Sequence, residues 1–211
     1  MKTPVAFLIS GIVFGLTAGI TPGPLLTLVI SETIKHSLRE GIKIAISPLI
    51  TDLPIISISL LILLPLSNFK SILGAISILG GFFICYLAYE SFSIKGVAID
   101  YQNIKPHSLK KGVITNFLNP YPYMFWITVG APIILKAFAI STIALIFFIL
   151  GFYICLVASM ILISIIVEKS KNFLRSQYYL YIIRFLGFVL LIFAMSFFIE
   201  GLKFLGFLEK S

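Results

Sequence analysis

Apolar residues in this chain come in long uninterrupted stretches, and charged residues fall almost wholly between them. Residues 3–31 hold no charge, 44–69 hold only Asp52, 71–94 only Glu90, and 112–135 and 137–167 none. A last stretch, about 178–199, carries Arg184 near its start. A helix needs roughly 20 apolar residues to cross a bilayer. The pattern therefore predicts six spanning helices, at about 5–31, 43–64, 71–92, 112–135, 138–167 and 178–199. Pro65, Leu66, Ser67 and Asn68 predict a tight turn between the second and third, and Lys136 a short connection between the fourth and fifth. The polar segment after Ser93 is the longest and separates two groups of three.

Composition leaves no room for a soluble domain. Of 211 residues, 59% are hydrophobic and 11% charged, where a soluble domain carries about 25% charged residues. The expected fold is an all-α integral membrane protein of six transmembrane helices. Three spans reverse the direction of the chain, so any repeat of the two halves, about 5–93 and 112–200 around a linker at 94–111, is inverted in the membrane. Inverted repeats are common in secondary transporters.

Charge then sets orientation. The net charge of +8 is concentrated in three connections: Lys35, Arg39 and Lys43; Lys95, Lys105, Lys110 and Lys111; Lys169, Lys171 and Arg175. The opposite side carries Lys2, Lys70, Lys136, Lys203 and Lys210. Excess Lys and Arg marks cytoplasmic loops, which places the first set inside and both termini outside. The basic balance is thus a topology signal that implies a lipid bilayer and no nucleic acid. Met1 and Lys2 ahead of an apolar run resemble the start of a signal peptide. The run continues past Pro24 to Ile30 without a small-residue cleavage site, so it is expected to remain as the first span. Cys85 and Cys155 stand singly in spans, as packing residues do. His36 and His107 lie in connections with no catalytic or metal-binding partner pattern. No enzyme activity, metal or cofactor is expected.

Two proline breaks interrupt the charge-free stretches, Thr21-Pro22-Gly23-Pro24 in the first half and Asn119-Pro120-Tyr121-Pro122 in the second. Freed backbone groups in hydrocarbon cost several kcal/mol, so such breaks persist only where protein or a wet cavity satisfies them. Broken spans in corresponding places of two halves point to a transporter's binding site. Around the second break, Asn116, Asn119 and Tyr123 share one helical face by i+3 and i+4 spacing. Trp126, one turn deeper, reads as a packing residue. Asp52 is the one carboxylate well inside an expected span, at a depth of roughly 13 Å that matches both breaks. Buried membrane carboxylates mark ion or substrate paths. Pro48 and Pro54 bracket it and predict a bend. Glu90 reads as interfacial and Arg184 as a snorkelling side chain.

The small-residue-rich first span with Gly11, Gly15, Gly19 and TPGP, the basic connection ahead of a membrane Asp, and Gly112 leading into Asn116-Phe117-Leu118-Asn119-Pro120 carry a family signature. In these motifs, their order and the six-span layout, nearly the whole chain resembles the lysine exporter and threonine/homoserine exporter family. The resemblance implies an inner-membrane exporter of amino acids or similar small solutes, usually driven by the proton gradient. It implies that Gly23, Pro24, Asp52, Asn116, Asn119 and Pro120 frame the translocation site. The chain departs from the family pattern at Tyr121, where Lys is common, and over residues 47–51, which lack a glycine.

The candidate site is accordingly Thr21, Pro22, Gly23, Pro24, Asp52, Asn116, Asn119, Pro120 and Tyr123, with protons or cations as coupling ion and a homodimer left open. Two other readings compete. A divalent-metal exporter would want several hard or borderline ligands, and the spans supply one deep carboxylate and no histidine. A membrane thiol–disulfide conduit would want paired cysteines at the breaks, and neither break has one.

Overall fold

The computed structural model describes residues 3–62, 69–93, 106–170 and 178–208, all helices and short connections with no strand among them. The turn expected at 65–68, most of the central linker, and Lys171 and Arg175 lie outside the described residues. In chain order the helices are α1 (Pro4–Ile20), α2 (Pro24–Lys35), α3 (Leu38–Ala45), α4 (Ser47–Ile62), α5 (Phe69–Phe92), α6 (Ser108–Phe117) and α7 (Pro120–Phe125). A π-helical turn at Trp126–Gly130 follows, then α8 (Ala131–Ile140), α9 (Thr142–Lys169) and α10 (Tyr178–Phe204).

Among the described residues five helical stretches are long and apolar enough to cross a membrane, and six if the bent pair α1 and α2 is one span. The six expected spans are therefore present, with shifted ends. Span 1 does not stop at Ser31: α2 runs on to Lys35, because nothing after Pro24 breaks the helix before His36. Span 2 starts at Leu38 rather than Lys43, after Ser37 in extended conformation, and is interrupted at Ile46 instead of bending only around Asp52. Pro54 lies inside α4. Lys136 does not end span 4. Its exposed side chain is carried within α8, and the turn falls at Ser141, whose hydroxyl caps α9 by accepting from the Ala144 N–H. Lysine at the end of an apolar run can snorkel without ending the helix, so charge misplaced this boundary by a few residues.

Two long helix pairs frame the molecule: α1 lies along α9, and α5 along α10. Glycines set the first contact. A Cβ on Gly11, Gly15 or Gly19 would collide with the α9 backbone at Phe148, Phe152 and Leu156 or with the Ser159 side chain. Three glycines at i, i+4 and i+8 give one smooth helix face, the small-xxx-small device by which membrane helices approach closely without a hydrophobic driving force. The register, with Gly11 at Phe148 and Gly19 at Leu156, makes α1 and α9 parallel. In the second pair Gly74 meets Gly201 and Leu205, and Gly81 meets Phe198, so α5 and α10 are antiparallel. Both directions are those of spans 1 and 5, and 3 and 6, in an alternating six-span chain.

The remaining elements fill the space between the pairs. α2 packs on α3, α6, α9 and α10, and α4 packs on α6, α7 and the π-turn. One apolar cluster joins Leu25, Leu28 and Val29 of α2 to α5 and α10, and Cys85 packs against it. A second joins Phe7 of α1, Ile55 of α4 and Trp126 to the α9 aromatics Phe148 and Phe152. Arg184 is exposed, as expected of a snorkelling side chain.

Candidate functional site

The first break bends the chain by 60° between α1 and α2. Pro22 and Pro24 have no N–H to close onto the carbonyls of Ala18 and Ile20 four residues earlier. The backbone bonds that persist around the bend run from the Thr21 N–H to the Thr17 carbonyl and from the Thr27 N–H to the Gly23 carbonyl. Gly23 is the N-cap of α2 and supplies no side-chain cap. The Leu25 and Leu26 N–H groups thus belong to the uncapped donors of a helix start.

The second break falls at Leu118 and Asn119, between α6 and α7, and is closed by its own side chains. The Asn119 Oδ1 accepts from the Tyr121 N–H at 3.0 Å, and the Tyr123 hydroxyl donates to the Phe117 carbonyl at 3.0 Å. The Leu118 and Asn119 N–H groups turn back onto Ile114 and Asn116. Pro120 and Pro122 sit in the first turn of α7, where a missing donor costs nothing. α5 comes up against this break at Gly80, where a Cβ would collide with the Leu118 carbonyl oxygen.

Asp52 of α4 is 4% exposed. Its Oδ1 accepts from Asn116 Nδ2 at 3.0 Å, and its Oδ2 accepts from Trp126 Nε1 and the Tyr153 hydroxyl, both at 3.3 Å. The Asn116 amide also donates to the Thr51 hydroxyl at 2.6 Å. Trp126 is buried among Phe125, Phe152 and Tyr153. It owes that place to Gly130, where any Cβ would strike the indole. The π-turn carries Trp126 and Gly130 together, and such local widenings of a helix are frequent at functional sites. Three donors from three different elements thus surround one buried carboxylate.

A cavity of about 560 Å³ brings the parts together. Its wall includes Thr17, Ala18, Thr21, Pro22, Gly23 and Pro24 from the first break, Asn116, Asn119, Tyr121 and Pro122 from the second, and Asp52 between them. The rest is largely apolar, with Phe14, Leu25, Leu26, Phe125, Trp126, Phe152, Leu156, Met160 and Phe193. Of the expected site residues, Pro120 and Tyr123 lie behind this wall. Asn116, Asn119 and Tyr123 do not converge on one point either: they divide into an Asp52 partner, a helix cap and a carbonyl donor. Trp126, expected only to pack, both packs and holds Asp52. Tyr153 went unnoticed in the sequence, and Tyr121, noted as a departure from the family pattern, lines the cavity. The Tyr121 hydroxyl donates to Glu200 Oε1 at 3.1 Å.

A second polar centre lies at the basic end of the molecule. Glu32, expected in a connection, is fully buried on α2. It accepts from the Ser108 hydroxyl at 2.8 Å and from Lys111 Nζ at 3.2 Å. Lys111 Nζ also donates to Glu90 Oε1 at 2.7 Å. Lys35 donates to the Ser91 hydroxyl at 3.2 Å and stands 3.9 Å from Glu90. Burial alone would lower the Lys111 pKa, but the Glu32 and Glu90 carboxylates outweigh it and raise it above the usual lysine range. His36, 3.7 Å from Glu32, is pushed down by burial against the pull of that carboxylate. Glu32 is thus a second buried carboxylate, at the basic end of the molecule, and Glu90 is ion-paired beside it.

The family model for the LysE type translocator matches residues 16–201. The stretch spans both breaks, Asp52 and the ion cluster. No curated protein and no solved structure gives a significant match. The chain belongs to the LysE type translocator family, and it is a multi-pass membrane transporter.

Proposed function

We propose that this LysE-type translocator exports amino acids or similar small ammonium-bearing solutes across the cytoplasmic membrane, with Asp52 as the site that couples export to protons. The observation that carries this reading is the single cavity walled by both breaks and Asp52. At about 560 Å³ it falls within the range of small-molecule sites, about 300–1,000 Å³.

The chemistry of the wall suits a zwitterion with an apolar side chain. Asp52 and the Ala18 carbonyl can meet an ammonium. The Leu25 and Leu26 N–H groups, at the positive end of α2, can meet a carboxylate. Among the described residues the wall includes no lysine, arginine or histidine, and its aromatic and aliphatic remainder favours leucine-, methionine- or phenylalanine-like bodies over a second charge. Among the described residues a divalent metal finds one carboxylate here and no imidazole or thiolate, a poor set for a cation of that class.

The packing fits two inverted halves, residues 5–93 and 112–200. Exchanging the halves carries the span 1 and span 5 pair onto the span 4 and span 2 pair, and returns the span 3 and span 6 pair to itself. On this reading the basic connections face the cytoplasm and both termini face outward.

Counterflow and pH-gradient-driven flux in proteoliposomes test the proposal, with leucine, methionine, phenylalanine, lysine and threonine offered in turn. Asp52→Asn keeps the Trp126, Tyr153 and Asn116 neighbours but cannot ionise. It is expected to lower gradient-driven flux about 100-fold or more, as loss of a preorganised charged group does, while retaining counterflow. Gradient-driven flux equal to the parent would remove the coupling role. Absence of counterflow with every amino acid would remove the cargo.

A further inference from the structure

α2 is an unusual helix for a membrane protein. Every residue of it except Ile30 is buried, so it faces neither lipid nor water along its length. Its first turn, Pro24 to Leu26, walls the cavity. Its last turn carries Glu32 and Lys35 in the ion cluster at the basic end. It therefore fills the route from the cavity to that end.

The second half-helix on this route is α6, and it has the same two roles. Asn116 at one end walls the cavity, while Ser108 and Lys111 at the other hold Glu32. Glu90 and Ser91 of α5 complete the cluster. The inner ends of α2, α5 and α6 are thus tied together by charges of which Glu32 and Lys35 are buried and Glu90 is partly exposed. Three buried hydroxyls near this plug, Ser31 of α2, Thr115 of α6 and Ser164 of α9, have no hydrogen-bond partner among the described residues. Buried polar atoms left without partners are uncommon, and they fit helices whose present packing is one of two states, the other wetted. α3 seats α2 from outside, where a Cβ on Gly41 would collide with the Thr33 hydroxyl.

We propose that α2 is a plug hinged at Thr21, Pro22 and Gly23 and latched by the Glu32–Lys111–Glu90 cluster, and that release of the latch opens the cavity toward the basic end. Hinge closures concentrate their backbone change in a few element-terminal residues, and the 60° bend supplies them. The latch is built from side chains that meet only in the closed state. Removing Lys111 leaves the buried Glu32 carboxylate without its lysine, and removing Glu32 takes one of two carboxylates from Lys111, which destabilises that state selectively. The inference rests on the transport reading but not on the cargo.

The test is thiol accessibility in inside-out vesicles, with Val129→Cys as reporter on the cavity wall and both native cysteines replaced by serine. A membrane-impermeant maleimide is added from the basic side. Glu32→Gln and Lys111→Met are expected to speed labelling at least about tenfold, the scale of breaking a buried ion pair. Lys111→Arg, which keeps a cation between Glu32 and Glu90, should label near the parent rate. A second arm joins Glu32→Cys to Ser108→Cys with a short bifunctional thiol reagent, which should abolish flux until reduction. Labelling at the parent rate in both Glu32→Gln and Lys111→Met would overturn the latch. So would undiminished flux through the cross-linked protein, and that arm decides if the single variants fail to fold. Failure of amino-acid counterflow with faster labelling would spare the plug and sink only the cargo.

Discussion

At the first break, Pro22 and Pro24 strip the donors from Ala18 and Ile20, and Gly23 caps nothing; a Cβ placed there would meet only the Thr21 carbonyl, at 3.9 Å. At the second, Asn119 caps α7, Tyr123 takes the Phe117 carbonyl, and Gly80 of α5 lies against Leu118. Both breaks wall one cavity, yet one is left open and the other is sealed. A sealed break is a fixed corner that can hold Asn116 against Asp52. An open one can bend, or offer its backbone to a solute. The difference assigns positioning to the second half and movement to the first.

The largest way to break this comparison is Gly80→Val. Its side chain would press on a backbone carbonyl that cannot step aside, and overpacking of this kind costs about 3 kcal/mol. The thermal midpoint in detergent should fall by several degrees, and a midpoint equal to the parent's would show that α5 does not support the second break. Next comes Asn119→Ala, which removes the α7 cap at a cost of about 1 kcal/mol. The same measurement reads it, and flux should fall with stability because Asn116 loses its fixed corner.

The smallest stability effect belongs to Gly23→Ala. Gly23 has φ −166°, extended backbone open to any residue, and space around its Cβ position. A change within about 0.5 kcal/mol is expected, accompanied by slower transport because a freer hinge residue has been stiffened. If Gly23→Ala lowers the midpoint as much as Asn119→Ala does, the two breaks are alike and the comparison fails.

The spans and the breaks were legible because their causes are local. A charge-free run of sufficient length and a proline without a donor are visible one residue at a time. Asp52 stood out for the same reason. The helix ends were less so: Lys136 and Ser31 marked where the composition changed, while α8 and α2 continued until Ser141 and His36. Glu32 was missed because it follows the apolar run and stands beside Lys35, His36 and Arg39, in what composition marks as a wet connection. Its burial depends on α6 returning to cover it. Trp126 carried a faint signal, as an indole one turn beyond a break, but Tyr153 carried none.

By itself the sequence determined a six-span helical transporter and its basic connections, and it proposed a level for the site. Hydrocarbon thickness and the cost of stray charge act along the chain, and the family motifs sit in that order. Tertiary structure decided which side chains meet. Asn116, Trp126 and Tyr153 reach Asp52 across separations of 64, 74 and 101 residues, and Ser108 and Lys111 reach Glu32 across 76 and 79. Such meetings follow from helix pairing and from glycines that let particular faces touch. The Asn119 cap that helps to seal the second break is itself local, whereas the Gly80 contact that backs it came from the pairing of helices.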